Sequence, residues 1–312
     1  MVALARLMAL RHAADIRSLL WIVLTMAIVA IQFANPDWVK FLWPLSCYFA
    51  LCCGVIAHNH NHCPTFYNRT ANRWLGNLIS IFYGYPTFAW IPTHNLNHHK
   101  YVNRPGDATI TWRYSNKHGF WVAISYFFVS SYWQSGPIKE FIANAKAKNP
   151  KLFRQIVRQY FIWGGSHVGL LIFGITTHGW QTGLYIWALS CGVPGFFALW
   201  TIMLFNYEQH VHADPWSEHN HSRSWEGRVL NYLLFNNGLH AAHHESPATH
   251  WSKLWSVHRE LAPRIDPRLV EKGGFLGYFC RQYFLAPIFP SLATIQIGRA
   301  PEDFSPTPSQ NI

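Results

Sequence analysis

The sequence predicts a helical integral membrane protein with four spans arranged as two hairpins, and three observations support this. Half of the 312 residues are hydrophobic and 17% are aromatic, while only 12% are charged, a balance more apolar than a water-soluble domain requires. Four apolar runs, 18–34, 38–57, 160–178 and 183–205, each approach the roughly 20 residues that cross a bilayer as a helix. Of 25 Lys and Arg, three precede the first run, twelve lie in 58–159, nine lie in 206–312, and only Lys40 falls near the opposite face. By the positive-inside rule both long segments and both termini are cytoplasmic. The chain is then a multi-pass protein, of the inner membrane if its source is bacterial.

The first run follows Arg11 and Arg17, and no small-x-small cleavage site precedes Asn35-Pro36-Asp37-Trp38, so it reads as an uncleaved anchor rather than a removed signal. That Asn-Pro-Asp joint is short, as is Gly179-Trp180-Gln181-Thr182 between the third and fourth runs. Each joint therefore closes a hairpin. Between the hairpins, 74–92 is interrupted by Gly76, Gly84, Pro86 and Pro92 and reads as an interfacial or re-entrant element rather than a span. Residues 58–159 and 206–300 form a cap on the cytoplasmic side. The stretch 275–300, apolar and aromatic, is expected to lie on the membrane or pack beneath that cap, and 301–312 to be a disordered end. The whole chain, 1–312, reads as one domain.

The net charge of +11 does not call for nucleic acid, because topology and anionic lipid account for a basic inner face. Six cysteines contain no CxxC pair, so neither a disulfide framework nor a zinc ribbon is implied.

The nineteen histidines cluster. His58-x3-His62 ends the second run. "HNLNHH" supplies His94, His98 and His99, and "HAAHH" supplies His240, His243 and His244. "NYEQHVH" places Asn206 four residues before His210 at the end of the fourth run. Residues three and four apart share a helix face, so each box presents several imidazoles together. Neighbours such as His243 and His244 point about 100° apart, which suits two adjacent metal ions, one for each ring. The topology brings all nine of these histidines toward one cap. They exceed what one zinc requires, there is no HExxH, and a carboxylate-bridged di-iron bundle would need paired ExxH motifs where only Glu218-x2-His221 occurs. Imidazole-rich, redox-capable sites suit iron. Ligand chemistry alone leaves copper open.

These boxes, with "THNLNHHKYVNRPGD" and "NNGLHAAHHESPATHW" around two of them, resemble those of the membrane fatty acid desaturase and hydroxylase superfamily from about residue 45 to 260. The family's cap is helical, so the resemblance implies an all-α fold. It further implies a di-iron centre held by His58, His62, His94, His98, His99, His210, His240, His243 and His244, with Asn206 matching the family's NxxxH asparagine close to one iron. The spacings HxxxH, HxxxHH and NYxxH also resemble membrane alkane monooxygenases. His60 and His212 lie beside the boxes with no assigned role, and Glu208-x3-His212 repeats the spacing of Asn206-x3-His210.

The implied activity is O2-dependent removal of hydrogen from an unactivated C–H bond of a fatty-acyl or other alkyl chain. Desaturation is the leading outcome; hydroxylation and oxidative decarboxylation to a terminal alkene are the alternatives. Trp74, Phe82, Tyr83, Phe88 and Trp90 are candidates to line an acyl tunnel or to serve as interface aromatics. No cytochrome b5, iron-sulfur or flavin motif occurs in the chain, so electrons would come from a separate ferredoxin, rubredoxin or cytochrome with its reductase. A metal transporter is the competing class. Transporters set ligands near the bilayer midplane, whereas these histidines gather at one face.

Overall fold

The computed structural model describes residues 9–301; the expectation for the last eleven residues lies outside them. The protein is mostly helical, at 72%. Helix α1, Asp15–Ala34, turns through Pro36–Trp38 into α2, Val39–His62. Helix α3 is Arg69–Tyr83, α4 is Phe120–Lys148 and α5 is Pro150–His178. Trp180–Trp187, α6, continues through a π-helical turn, Ala188–Gly192, into α7, Val193–His210. Short helices α8 (Arg228–Leu233), α9 (His240–Glu245), α10 (Leu254–Leu261) and α11 (Phe275–Cys280) follow. A two-residue parallel pair joins Ser224–Trp225 to Val270–Glu271.

Among the described residues four helical stretches are long and apolar enough to cross a membrane: Asp15–Ala34, Pro36–His62, Pro150–His178 and Trp180–His210. All four expected runs lie inside them, and the second and fourth extend further, to His62 and His210. Nothing at residues 58–62 or 206–210 breaks the backbone: no Gly or Pro intervenes, and the apolar run passes its helical register directly to the histidines. Outward side chains on these helices are large and apolar, with Phe41 73% and Phe161 75% exposed. Such surfaces are stable in lipid and costly in water, and this is a membrane protein.

The described chain divides into two compact units, Met1–Leu96 with Ser135–Ile202, and Asn97–Gln134 with Met203–Ile312. In the first, α1 packs on α2, α2 on α3, α3 on α5 and α5 on α6. Val29, Phe33, Val39, Ile186 and Cys191 form one core cluster, and Phe88, Ala145 and Ile156 another. Polar groups between these apolar helices find partners: Ser46 donates to Gln32 at 2.9 Å and Trp21 to Tyr48 at 3.1 Å, as burial away from water requires. The second unit is built around Ala213, Ala241, Leu261, Ile265, Leu269 and Ile297.

Two segments differ from expectation. Residues 69–83 form one unbroken helix, capped by the Asn68 side chain, which accepts from the Thr70 and Ala71 N–H groups. Gly76 does not interrupt it: its carbonyl accepts from Thr87 and Ser80 hydroxyls, and an added Cβ would stand 3.2 Å from Thr87 Oγ1. The break comes at Gly84, with φ 92°, where an added Cβ would sit 2.8 Å from Gly195 Cα, a position that only glycine fills without strain. The second is α4, a 29-residue helix within a stretch expected only as undivided cap.

Candidate metal centre

In the first unit, α2 ends by presenting His58 and His62 one turn apart, and the π-helical segment Ile91–His98 brings His94 to them. His58 Nε2 lies 2.9 Å from His94 Nε2, and the ligand nitrogens of His58, His62 and His94 are all within 4.8 Å of one another. The His58 Nδ1–H donates to Asn59 Oδ1 at 3.1 Å, which leaves the Nε2 lone pair facing His94. Trp90 packs edge-on against both His58 and His94, and stacks on Tyr83.

The second unit gathers His98, His210, His240 and His244, again with ligand nitrogens within 4.8 Å. His98 and His244 stand 3.2 Å apart at Nε2, His244 and His240 3.0 Å, and His240 and His210 2.9 Å. His99 and His243 form a further pair at 3.0 Å. The neighbours His243 and His244 diverge as their helical offset demands, their ring planes 66° apart.

Local chain geometry explains these placements. Before α9, Phe235 and Asn236 take positive φ of 51° and 60°. Gly238 then passes so close to the Trp225 carbonyl that a Cβ would lie 2.7 Å from it. Its N–H donates to Asn231 Oδ1 and its carbonyl accepts from the Trp225 N–H. This reversal aims His240 inward. At the end of α7, the buried Arg223 guanidinium donates to the Glu208 and Val211 carbonyls, supplying partners to the helix's last acceptors.

A set of residues outside the boxes orients the rings, and the sequence reading missed them. Asp107, 1% exposed, accepts from His98 Nδ1–H at 2.8 Å and from the Asn103 N–H at 2.7 Å, while Thr109 gives its other oxygen both an N–H and a hydroxyl. Burial would raise this carboxyl, but His98 and Thr109 outweigh it and hold it down at about 2. The His210 Nδ1–H donates to the His221 carbonyl at 3.0 Å. In both rings the lone pair is thereby fixed at Nε2, facing the other imidazoles. Burial, followed by its imidazole neighbours, pushes His244 well below the usual histidine range, so it is neutral and able to donate electrons at pH 7. The only advance signal for Asp107 was its place in "YVNRPGD" after the second box.

The remaining residues divide by what their rings touch. Asn206 donates its amide N–H to Tyr126 at 2.9 Å. His60 spends one nitrogen on the Thr65 hydroxyl and the other on the Asn72 carbonyl. His212 lies beyond the end of α7 with φ 60° and is bonded to Asn116 and Thr294, so the helical spacing from Glu208 does not continue to it. His167 and His178 cap carbonyls of Ile81 and Phe33. His118, given no role from sequence, donates to the fully buried Glu208 at 2.7 Å.

The imidazole spacings fit a shared cation. A first-row transition metal with M–N bonds of about 2.0–2.1 Å and neighbouring bonds near a right angle sets its nitrogens about 3 Å apart. His58, His98 and His210, whose Nδ1 carries the proton, turn their Nε2 lone pairs toward the other imidazoles, and a cation suits such converging lone pairs.

The model of the family described as fatty acid desaturase matches residues 36–272. The chain belongs to the fatty acid desaturase family. No curated protein and no solved structure matches it. The family domain together with the histidine groups fits an iron-dependent oxidoreductase acting on a lipid or acyl substrate in the membrane.

Proposed function

We propose that the protein is an O2-dependent di-iron fatty-acyl desaturase, in which both units serve one catalytic domain. The observation that carries this reading is the presence of two buried, all-imidazole groups inside the family-matched region. His58, His62, His94, His98, His99, His210, His240, His243 and His244 would hold two irons, with Asn206 beside one of them. Bound iron would supply the redox chemistry that reduces O2 and removes hydrogen from an unactivated C–H bond.

The chain's own residues contribute orientation and exclusion of water. Asp107, Asn59 and the His221 carbonyl keep Nδ1 of His98, His58 and His210 protonated and turn their Nε2 lone pairs toward the other imidazoles, so these three rings would not have to lose a proton on binding metal. The Tyr83–Trp90 stack against His58 and His94 gives an apolar wall along which an acyl chain would lie. Placement of that chain decides between removing a second hydrogen and returning oxygen to carbon. The HxxxH, HxxxHH and NYxxH spacings favour hydroxylation as the second reading, with terminal-alkene formation a variant of it. Lysine and arginine distribution supports a cytoplasmic centre, and electrons would arrive from a ferredoxin, rubredoxin or cytochrome with its reductase.

The test pairs metal analysis of purified protein with mass comparison of lipids from cells with and without it. The expected result is about two irons per chain, lost when His243 and His244 are replaced by alanine, and acyl products lighter by two hydrogens. Products heavier by one oxygen, or lacking the carboxyl carbon, would replace desaturation with the corresponding alternative. A single zinc with unchanged lipids under every electron supply would overturn the redox reading.

A further inference from the structure

The segment that follows the family-matched region has its polarity inverted. In α11 and the π-helical turn Arg281–Leu285, the inward residues are Tyr278, Gln282 and Tyr283, all buried and all hydrogen-bonded. The outward residues are apolar: Leu276 is 77% exposed, Phe284 60% and Ile288 68%, with Cys280 also exposed on the same stripe. A segment facing water places such residues the other way round.

The first half of α4 repeats the pattern. Trp121, Ser125, Phe128 and Tyr132 recur at helical spacing on its exposed face, while Ala123, Tyr126 and Ser130 are buried on the other. Phe120 packs edge-on against Phe279 and Tyr283, which joins the two stripes into one face of the second unit. No charged residue lies on either stripe, the half-exposed Arg281 beside it being paired with Glu271, while Lys117 and Lys272 are exposed at their starts.

We infer that this face, formed by 276–289 and the outer side of 121–132, is seated in the headgroup and outer acyl region of the membrane. Its partner is a lipid monolayer containing anionic headgroups. Trp and Tyr beside lysines are the composition that settles at that depth, with an apolar face buried about 5–10 Å into the boundary. An acidic redox carrier would be met by exposed cations rather than an uncharged aromatic surface. The four spans keep a bilayer beside the chain under all conditions. The inference does not depend on which reaction the metal centre performs.

The test uses the full chain in vesicles of phosphatidylcholine with phosphatidylglycerol. An environment-sensitive fluorophore is attached at Ile288→Cys, and separately at Leu276→Cys, after Cys63→Ser and Cys280→Ser; the span cysteines 47, 52, 53 and 191 are buried. Ser256→Cys, on exposed α10, is the reference. Both positions should be quenched by a lipid spin-labelled near its headgroup and protected from aqueous iodide about three-fold relative to position 256. Both substituted side chains are exposed, so neither variant removes a packed contact. Iodide quenching equal to the reference would overturn the inference, and so would protection from both quenchers, which would mean that a second copy or a protein partner covers the face.

Discussion

Asp107→Ala should weaken metal binding without touching a candidate ligand. The carboxylate is almost fully buried and receives four hydrogen bonds, from His98, the Asn103 N–H, and the Thr109 N–H and hydroxyl. Removing it strands buried donors and lets His98 take the tautomer that puts its proton on Nε2, the nitrogen that would hold the metal. Loss of such an orienting carboxylate costs about 10–100-fold in metal affinity, or roughly 1.4–2.8 kcal/mol. Leaving these buried donors without their ionised acceptor adds about 1–3 kcal/mol of lost fold stability. Asp107→Asn separates the two effects. Its amide oxygen can still accept from His98 while its NH2 opposes the Thr109 N–H, so stability should fall more than affinity. The assay is iron per chain against a graded chelator series, beside the thermal midpoint in detergent. Wild-type retention of iron in a folded Asp107→Ala protein would refute the assignment of His98 orientation to this carboxylate.

His58→Ala should lower iron content, whereas His60→Ala should leave it unchanged, because the His60 ring is committed to Thr65 and Asn72; metal analysis of the two variants checks this. Chelator-treated protein should lose stability as pH falls from about 6.5 to about 4. Burial, then His98, His219 and Arg104, lower His221 to about 4, so the folded state resists a proton that the unfolded chain accepts; the favourable contribution is full above the unfolded value and fades on acidification. His221→Asn should flatten the dependence of the thermal midpoint across that range.

The four long apolar helices were legible because runs of that length and hydropathy favour continuous helix, and the histidine boxes because spacings of three and four mark one helix face. Helix α4 was not. Its apolar half, 120–136, mixes Tyr, Trp and Ser with Phe and Val, which lowers its apparent hydrophobicity although those residues divide cleanly by face in three dimensions. Asp107, His118 and Glu208 were hidden for another reason. Their roles depend on partners 9, 90 and up to 90 residues away, and no local period encodes such pairings.

Glu208 shows how far this dependence extends. It precedes His210 by two residues on α7, about 200° around the helix, so it faces away from the imidazoles. It is fully buried and accepts from His118, Tyr278 and Tyr283; burial first, and then the carboxylate, hold both phenols far above their ordinary range and keep them as donors. Tyr278 and Tyr283 lie beyond residue 272, where the family match ends. This chain's own C-terminal segment therefore fixes the helix end that presents His210. Each bond to an ionised acceptor contributes about 1.5–3 kcal/mol, so Tyr278→Phe with Tyr283→Phe should lower the thermal midpoint by several degrees and loosen iron held through His210. Tyr283→Phe alone should do less of both. If the double variant loses stability but keeps wild-type iron affinity and an unaltered iron spectrum, the segment braces the fold and has no part in positioning His210.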